Sequence, residues 1–331
     1  MNEVASSDTV PSAVRIGTRA SLLARTQTQW VADQLGARGV NVQIVIVETS
    51  GDLRTDIPIA RIGGDGVFVR ELERALLERR IDVAVHSMKD LPTAETPGLA
   101  IPCVPKRATP YDAFVGRSAA TLGGLPRNAV IGTSSIRRVV QVKACRGDLV
   151  IKPIRGNVDT RLRKLEAGEY DGLILAGAGL ERLGLASRIT QVLEPPLVAP
   201  AVAQGALAVQ IRDDDHEARA AVMPITDEPT HQAVRAERAC LRALAGGCLA
   251  PIAGWARKDS AGRLLLDAWV FEDRGADVVS IHGAGVATPG SESPELLGER
   301  VAMWLLDQGA AAMVERARGD EGGPLQHPPT P

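Results

Sequence analysis

The chain has 331 residues, a length that suits two or three domains better than a single core. Hydrophobic residues at 45%, charged residues at 24% and a formal net charge of -2 describe a globular protein, and exclude bulk binding to nucleic acid or to anionic membrane, which wants an excess of basic charge. Aromatics at 3% leave little for a base-stacking surface. The opening residues, MNEVASSDTVPSA, lack the basic and apolar regions of a secretory signal, and no apolar run reaches the length of a membrane span. The four cysteines, Cys103, Cys145, Cys240 and Cys248, form no C-x-x-C pair and are too sparse for a disulfide scaffold. A cytoplasmic protein with reduced thiols is expected.

Residues 1–13 and 319–331 are polar and rich in Gly and Pro, and are expected to be disordered tails. Between them, β-branched runs alternate with helical patterns. Val14–Ile16 and Val42–Val47 read as strands, and Leu22–Leu35 as a helix closed by Gly36. Phe68, Leu72, Ala75 and Leu76 share a helix face, and Ile81, Val83 and Val85 alternate as a strand. The prolines from Pro92 to Pro110 read as a boundary rather than an element. Strands are expected near Val130, at Val150–Ile154 and at Leu173–Ala176, with helices from Ser135 and Asn157. A second Pro-rich segment, residues 195–205, suggests another crossing between lobes. One long helix, about Pro229–Leu244, then precedes three strand-like runs (251–256, 263–271, 277–286) and one final helix (293–317), the order of a small α+β domain.

The segments VRIGTRASL (14–22) and VIGTSSIRR (130–138) share a layout of strand, Gly-Thr, Ser and nearby Arg. A helix start offers unpaired N–H groups and an arginine adds a two-pronged donor, so the pair predicts an anion-binding cleft between two α/β lobes. For either segment alone, N-caps with surface arginines explain the residues equally well. Arg137, Arg138, Arg155, Arg161 and Arg182 cluster near further helix starts, which suits carboxylates or phosphates. No G-x-x-x-x-G-K-[ST] loop is present. VHSMKDLP (85–92) puts Lys89 and Asp90 at a strand end, where the carboxylate stands either as a fixed negative charge beside a cation or as a turn residue before Pro92. His86 has no ligand at metal spacing. Cys248, in RALAGGCLAPIAG (242–254), reads as a buried small residue, metal ligand, disulfide half or nucleophile on a Gly-flanked turn.

Eight stretches in order resemble the hydroxymethylbilane synthase (porphobilinogen deaminase) family: RIGTRASLLA (15–24), TSGDLRTDIPIARIGGDGVFVRELERALL (49–77), VHSMKDLPT (85–93), GTSSIRR (132–138), RGNVDTRLRKL (155–165), LAGAGLERLGL (175–185), AQGA (203–206) and GGCLAPIAG (246–254). Each alone is weakly specific; their order spans nearly the whole chain.

The resemblance implies an α/β fold of two periplasmic-binding-protein-like lobes and a small α+β C-terminal domain with a three-stranded antiparallel sheet. The lobes would be residues 14–108 with 206–227, and 109–205, followed by the third domain at 228–318. It implies a transferase of porphyrin and heme biosynthesis. A dipyrromethane cofactor held by a thioether at Cys248 would be extended by four porphobilinogens, each losing ammonia, before hydrolysis to hydroxymethylbilane. Asp90 would be the catalytic carboxylate that bonds pyrrole N–H groups. Ser87, Lys89, Ser135, Arg137, Arg138 and Arg161 would hold cofactor carboxylates, and Arg19, Ser21, Arg155, Arg182 and Phe68 the substrate. Phe68 and residues 63–66 match a lid loop, although Asp65 stands where many relatives have Lys, so it is left out of the ligand set. No metal is implied, and the family points to a monomer that hands its product to the next tetrapyrrole-pathway enzyme. The competing reading, a non-catalytic two-lobed binder of a small anion, explains the paired helix starts but leaves Asp90, Cys248 and the third domain without a role.

Overall fold

Short apolar runs, many of them β-branched, form the strands of this protein, and side chains such as Ser21, Asn157 and Asp227 cap helix starts. The structure, a computed structural model, describes residues 13–48, 69–244, 250–275, 277–288 and 290–319. Residues 63–66, Phe68 and Cys248 lie outside the described residues.

In the first lobe, β1 (Val14–Thr18) pairs in parallel with β2 (Val42–Ile46) across α1 (Leu22–Gly36). Ser21 caps α1 by accepting a 3.4 Å bond from the Ala24 amide. The helix does not close on Gly36. It runs through that residue to cap at Ala37, and the positive φ of 82° falls on Gly39 instead. Next, α2 (Arg70–Leu77) buries Leu72, Ala75 and Leu76 and leads to β3 (Val83–Ser87). This strand starts after Ile81 and, being central, is buried on both faces rather than alternating. The Pro-rich stretch after it is not bare of structure, for it contains β4 (Leu99–Cys103). Pro102 is tolerated there because β4 lies at the sheet edge, with a register shift opposite it.

The second lobe comprises β5 (Asp112–Gly116), β6 (Val130–Gly132), α3 (Ile136–Cys145), β7 (Val150–Lys152), α4 (Val158–Glu166), β8 (Gly172–Ala176), α5 (Gly177–Arg182) and β9 (Gln191–Leu193). The chain then returns to the first sheet with β10 (Leu207–Arg212), followed by α6 (His216–Val222). The sheet orders are β2-β1-β3-β10-β4 and β7-β6-β8-β5-β9. Each has three parallel strands, then one reversed strand (β10 or β5) and an edge strand antiparallel to it, so the two Gly-Thr segments occupy equivalent strands, β1 and β6. The strands that complete the two sheets, β5 and β10, both begin at crossings between lobes. The crossings touch where the Ala108 amide donates to the Gly205 carbonyl at 3.2 Å.

The third unit opens with α7 (Glu228–Ala243), which Asp227 caps through the Thr230 amide, and continues as the antiparallel meander β11 (Ile252–Lys258), β12 (Leu264–Asp273) and β13 (Val278–Val286). Its close is two helices rather than one: α8 (Pro294–Asp307) and α9 (Ala310–Gly319), broken at Gly309 with φ of 100°. Leu266, Val270, Leu297, Val301 and Leu305 form its core. No described helix is long and apolar enough to cross a membrane.

Candidate active site

The C-terminal ends of the parallel strands supply the polar residues between the lobes, where open α/β sheets leave a crevice. After β3 the chain makes a 3-10 turn, Met88–Asp90, in which Met88 is buried, Lys89 half-buried and Asp90 exposed. After β6, Ser135 is the N-cap of α3, although its side chain makes no capping bond, and Arg137 and Arg138 lie in the first turn. A cavity of about 430 Å³ brings Lys89, Asp90, Ser135, Arg137 and Arg138 together. Its far wall is apolar, with Leu241 of α7, Ala250 and Ile252.

The two arginines are almost fully buried, and Asp112 at the start of β5 is why they are tolerated. One Asp112 oxygen accepts from Arg137 Nη2 at 2.7 Å, and the other accepts from Arg138 Nη2 at 2.7 Å and Nε at 3.1 Å. Burial alone would raise the Asp112 carboxyl, but the two guanidiniums outweigh it and hold it well below the usual carboxylate range. Burial lowers Arg137 against the pull of Asp112. Two cations share one anion, so the cluster keeps a surplus positive charge behind the cavity wall.

Lys89 completes that field. Burial pushes its ammonium down to about 8, opposed by Asp90 and Asp112 and reinforced by Arg138 and Arg137. Its Nζ donates to Gln204 Oε1 at 3.3 Å.

Of the remaining sequence-predicted residues, the described ones are not in the wall of this cavity. Arg19 and Ser21 lie between β1 and α1, and Ser87 exchanges hydrogen bonds with Gln27 of α1 at 3.0 and 3.3 Å. Arg155 lies between β7 and α4, where Arg161 Nε donates to the Gly156 carbonyl at 2.8 Å. Burial lowers Arg161, and Arg138 and Arg155 lower it further, so these three cations feel one another. Arg182 Nη2 donates to the Gly205 carbonyl at 2.7 Å, and burial pushes it down to about 10. Among the described residues there is no His, Cys, Asp and Glu cluster able to hold a metal. Cys240 is buried in the α7 core, and burial pushes its thiol up to about 12, the setting of an inert packing residue.

Asp112 and Gln204 are the residues the sequence reading missed. Asp112 falls just after the Pro-rich stretch expected to be a boundary, and the burial of Arg137 and Arg138 that calls for a counter-ion is visible only in the fold. Gln204 stood in the AQGA stretch without a role.

Residues 14–220 match the family model "Porphobilinogen deaminase, dipyromethane cofactor binding domain", and residues 231–307 match "Porphobilinogen deaminase, C-terminal domain". A porphobilinogen deaminase of Desulforudis audaxviator is 46% identical over 307 residues, covering 92% of this chain and 98% of that protein. One of Bacillus subtilis is 42% identical over 315 residues, covering 94% and 98%. Among solved structures, the methionine binding protein MetQ superimposes with a TM-score of 0.41 at 12% identity, covering 67% of this chain and 90% of its own. A methionine-bound nutrient binding protein from Burkholderia cenocepacia gives 0.41 at 11%, covering 66% and 94%.

Proposed function

The chain belongs to the porphobilinogen deaminase family, and from that premise we propose which of its residues carry the family's reaction. Its activity is that of a transferase: porphobilinogen is condensed stepwise with loss of ammonia and released as hydroxymethylbilane, with dipyrromethane as cofactor.

The residues suit that cofactor. Each of its rings carries an acetate and a propionate, and the cavity offers Lys89, Arg137 and Arg138 to these, with Leu241 and Ile252 for the ring faces. Ala250, in the same wall, stands two residues from Cys248, which we assign as the thioether anchor. When bound, the cofactor supplies the pyrrole α-carbon to which the first substrate is joined. Ser87, Lys89, Ser135, Arg137, Arg138 and Arg161 would hold its carboxylates, and Arg19, Ser21, Arg155 and Arg182 those of the substrate, with Phe68 as an apolar substrate contact.

Asp90 is the catalytic residue. Exposed at the cavity wall, its carboxylate accepts hydrogen bonds from pyrrole N–H groups and stabilises the cation left on porphobilinogen as ammonia departs. The field behind it keeps anionic rings in place while Asp90 faces the one centre that turns positive. That opposition of a single exposed carboxylate to a buried cationic wall is the observation that carries the assignment.

The domains divide as 14–108 with 206–227, 109–205, and 228–318. We further propose that the protein works as a cytoplasmic monomer and passes its product to the next enzyme of tetrapyrrole synthesis. Incubation with porphobilinogen followed by intact-mass spectrometry tests the reading. During turnover a ladder of additions, each one porphobilinogen less ammonia, is expected; a protein mass that never rises above its starting value while substrate is being consumed contradicts it.

A further inference from the structure

Gln204 is completely buried in the second crossing, flanked by two residues with left-handed backbone, Ala203 at φ 58° and Gly205 at φ 87°. Both ends of its amide are used. Nε2 donates to the Pro110 carbonyl at 2.8 Å and to Asp112 Oδ1 at 3.0 Å, while Oε1 accepts from Lys89 Nζ at 3.3 Å. Among the described residues this is the hydrogen bond that Lys89 makes. Lys89 extends from the turn after β3 in the first sheet, and Asp112 opens β5 in the second, so one side chain joins the two lobes across their crossing.

The polarity of the link is specific. An ammonium needs an acceptor and a carboxylate needs a donor, and among side chains of this length an amide supplies both at once. A residue that only filled space between Pro110 and Lys89 would have no need of either. The charged groups facing Lys89 are Asp90 on its own turn and Asp112, Arg137 and Arg138 from the second lobe. The nearer of these opposed charges act on an ammonium that burial already presses toward its neutral form, so a fixed acceptor at Gln204 matters for keeping the proton.

We propose that Gln204 is a positioning residue for the reaction: it ties the Lys89 ammonium to the Asp112–arginine cluster and so keeps it charged at the cavity wall. The proposal rests on the assignment of Lys89 to cofactor carboxylates.

The test uses the full chain as purified. Competitive labelling with acetic anhydride across a pH series, read on the Lys89 peptide by mass spectrometry, gives the titration midpoint of Lys89. In Gln204→Met it is expected to fall by about one unit, the loss of one hydrogen bond to a charged group, with the alkaline limb of kcat/KM moving down by the same amount. Gln204→Asn keeps an amide but is too short to span the gap, and should behave alike. In the unaltered protein, the Gln204 side-chain amide resonance should shift with the midpoint of Lys89. A midpoint and an alkaline limb that stay in place while melting temperature or kcat falls would overturn the proposal, as would an amide resonance indifferent to Lys89. Intact mass keeps the two assignments apart. A wild type at bare polypeptide mass overturns the cofactor assignment itself, whereas a loaded protein with an unmoved Lys89 overturns only the role of Gln204.

Discussion

Arg107 grips Glu237 with both prongs of its guanidinium, at 2.6 and 3.1 Å, and the carboxylate that receives it has no exposed surface. Glu237, on α7, also accepts from the amide of Ala203 at 2.5 Å and that of Ala256 at 2.8 Å, while Arg107 Nε reaches the Gln204 carbonyl at 2.7 Å. Both crossings and the third unit therefore meet at one ion pair. Removing one partner from a buried pair leaves an uncompensated charge, so Arg107→Met should cost about 3–5 kcal/mol in urea unfolding. A loss below about 1 kcal/mol, the size of an exposed pair, would show that solvent reaches Glu237 after all.

Gly205 is where the crossings pack too closely for a side chain. A Cβ there would lie 2.5 Å from the Thr109 carbonyl oxygen and 2.7 Å from that of Ala108, and the φ of 87° is itself strained for any other residue. Gly205→Ala should lose about 1–3 kcal/mol from backbone strain alone, and more from the contacts. Arg182 donates to the Gly205 carbonyl, so the variant should also raise KM for porphobilinogen. An unchanged melting temperature would contradict the close approach.

His86 gives the protein a pH dependence of known sign. Burial pushes its imidazole down to about 4 against the bond to Gln210, with the Arg19 charge lowering it further. The unfolded chain, with an ordinary histidine near about 6.5, binds the extra proton across that interval. Stability is full above the unfolded value and drains as pH falls toward the folded one, by about 2 kcal/mol at pH 5. His86→Leu should flatten that part of the curve while lowering stability at neutral pH, because Gln210 Oε1 loses its partner and the side chain keeps only the bond from Nε2 to Glu73. A wild type and variant with parallel pH curves would mean that His86 takes up its proton at the same pH in the folded and the unfolded chain, and that burial does not depress it.

The sequence showed more of the site's outer ring than of its foundation. Ser135, Arg137 and Arg138 were legible because a Gly-Thr strand end followed by Ser and Arg has a local physical meaning at a helix start. Asp112 was not, because its partners lie 25 and 26 residues away and only the pairing of β5 with β8 brings them together. Gln204 was quoted and left without a function for the same reason, since its contacts run to both lobes. In the fold, periodicity located most strands. It failed at β4, where Pro102 suggested a boundary, at β5, β9 and β10, for which no strand was expected, and in the closing helix, where one glycine breaks a continuous pattern.

Asp90→Asn separates charge from shape. The side chain is exposed, so the fold and its melting temperature should hold. Turnover should fall by about a hundredfold or more, the usual scale for removing one preorganised group from a developing charge. A variant retaining a substantial share of wild-type kcat would remove Asp90 from the catalytic role.

The central claim is that this chain builds its product on a primer it carries at Cys248, and intact-mass spectrometry of the purified protein beside Cys248→Ser reads it directly. The wild type is expected to exceed its polypeptide mass by one dipyrromethane unit, and the variant to lose that increment. A wild type at bare mass, produced in cells that contain porphobilinogen, or a variant that keeps the increment, would contradict the account.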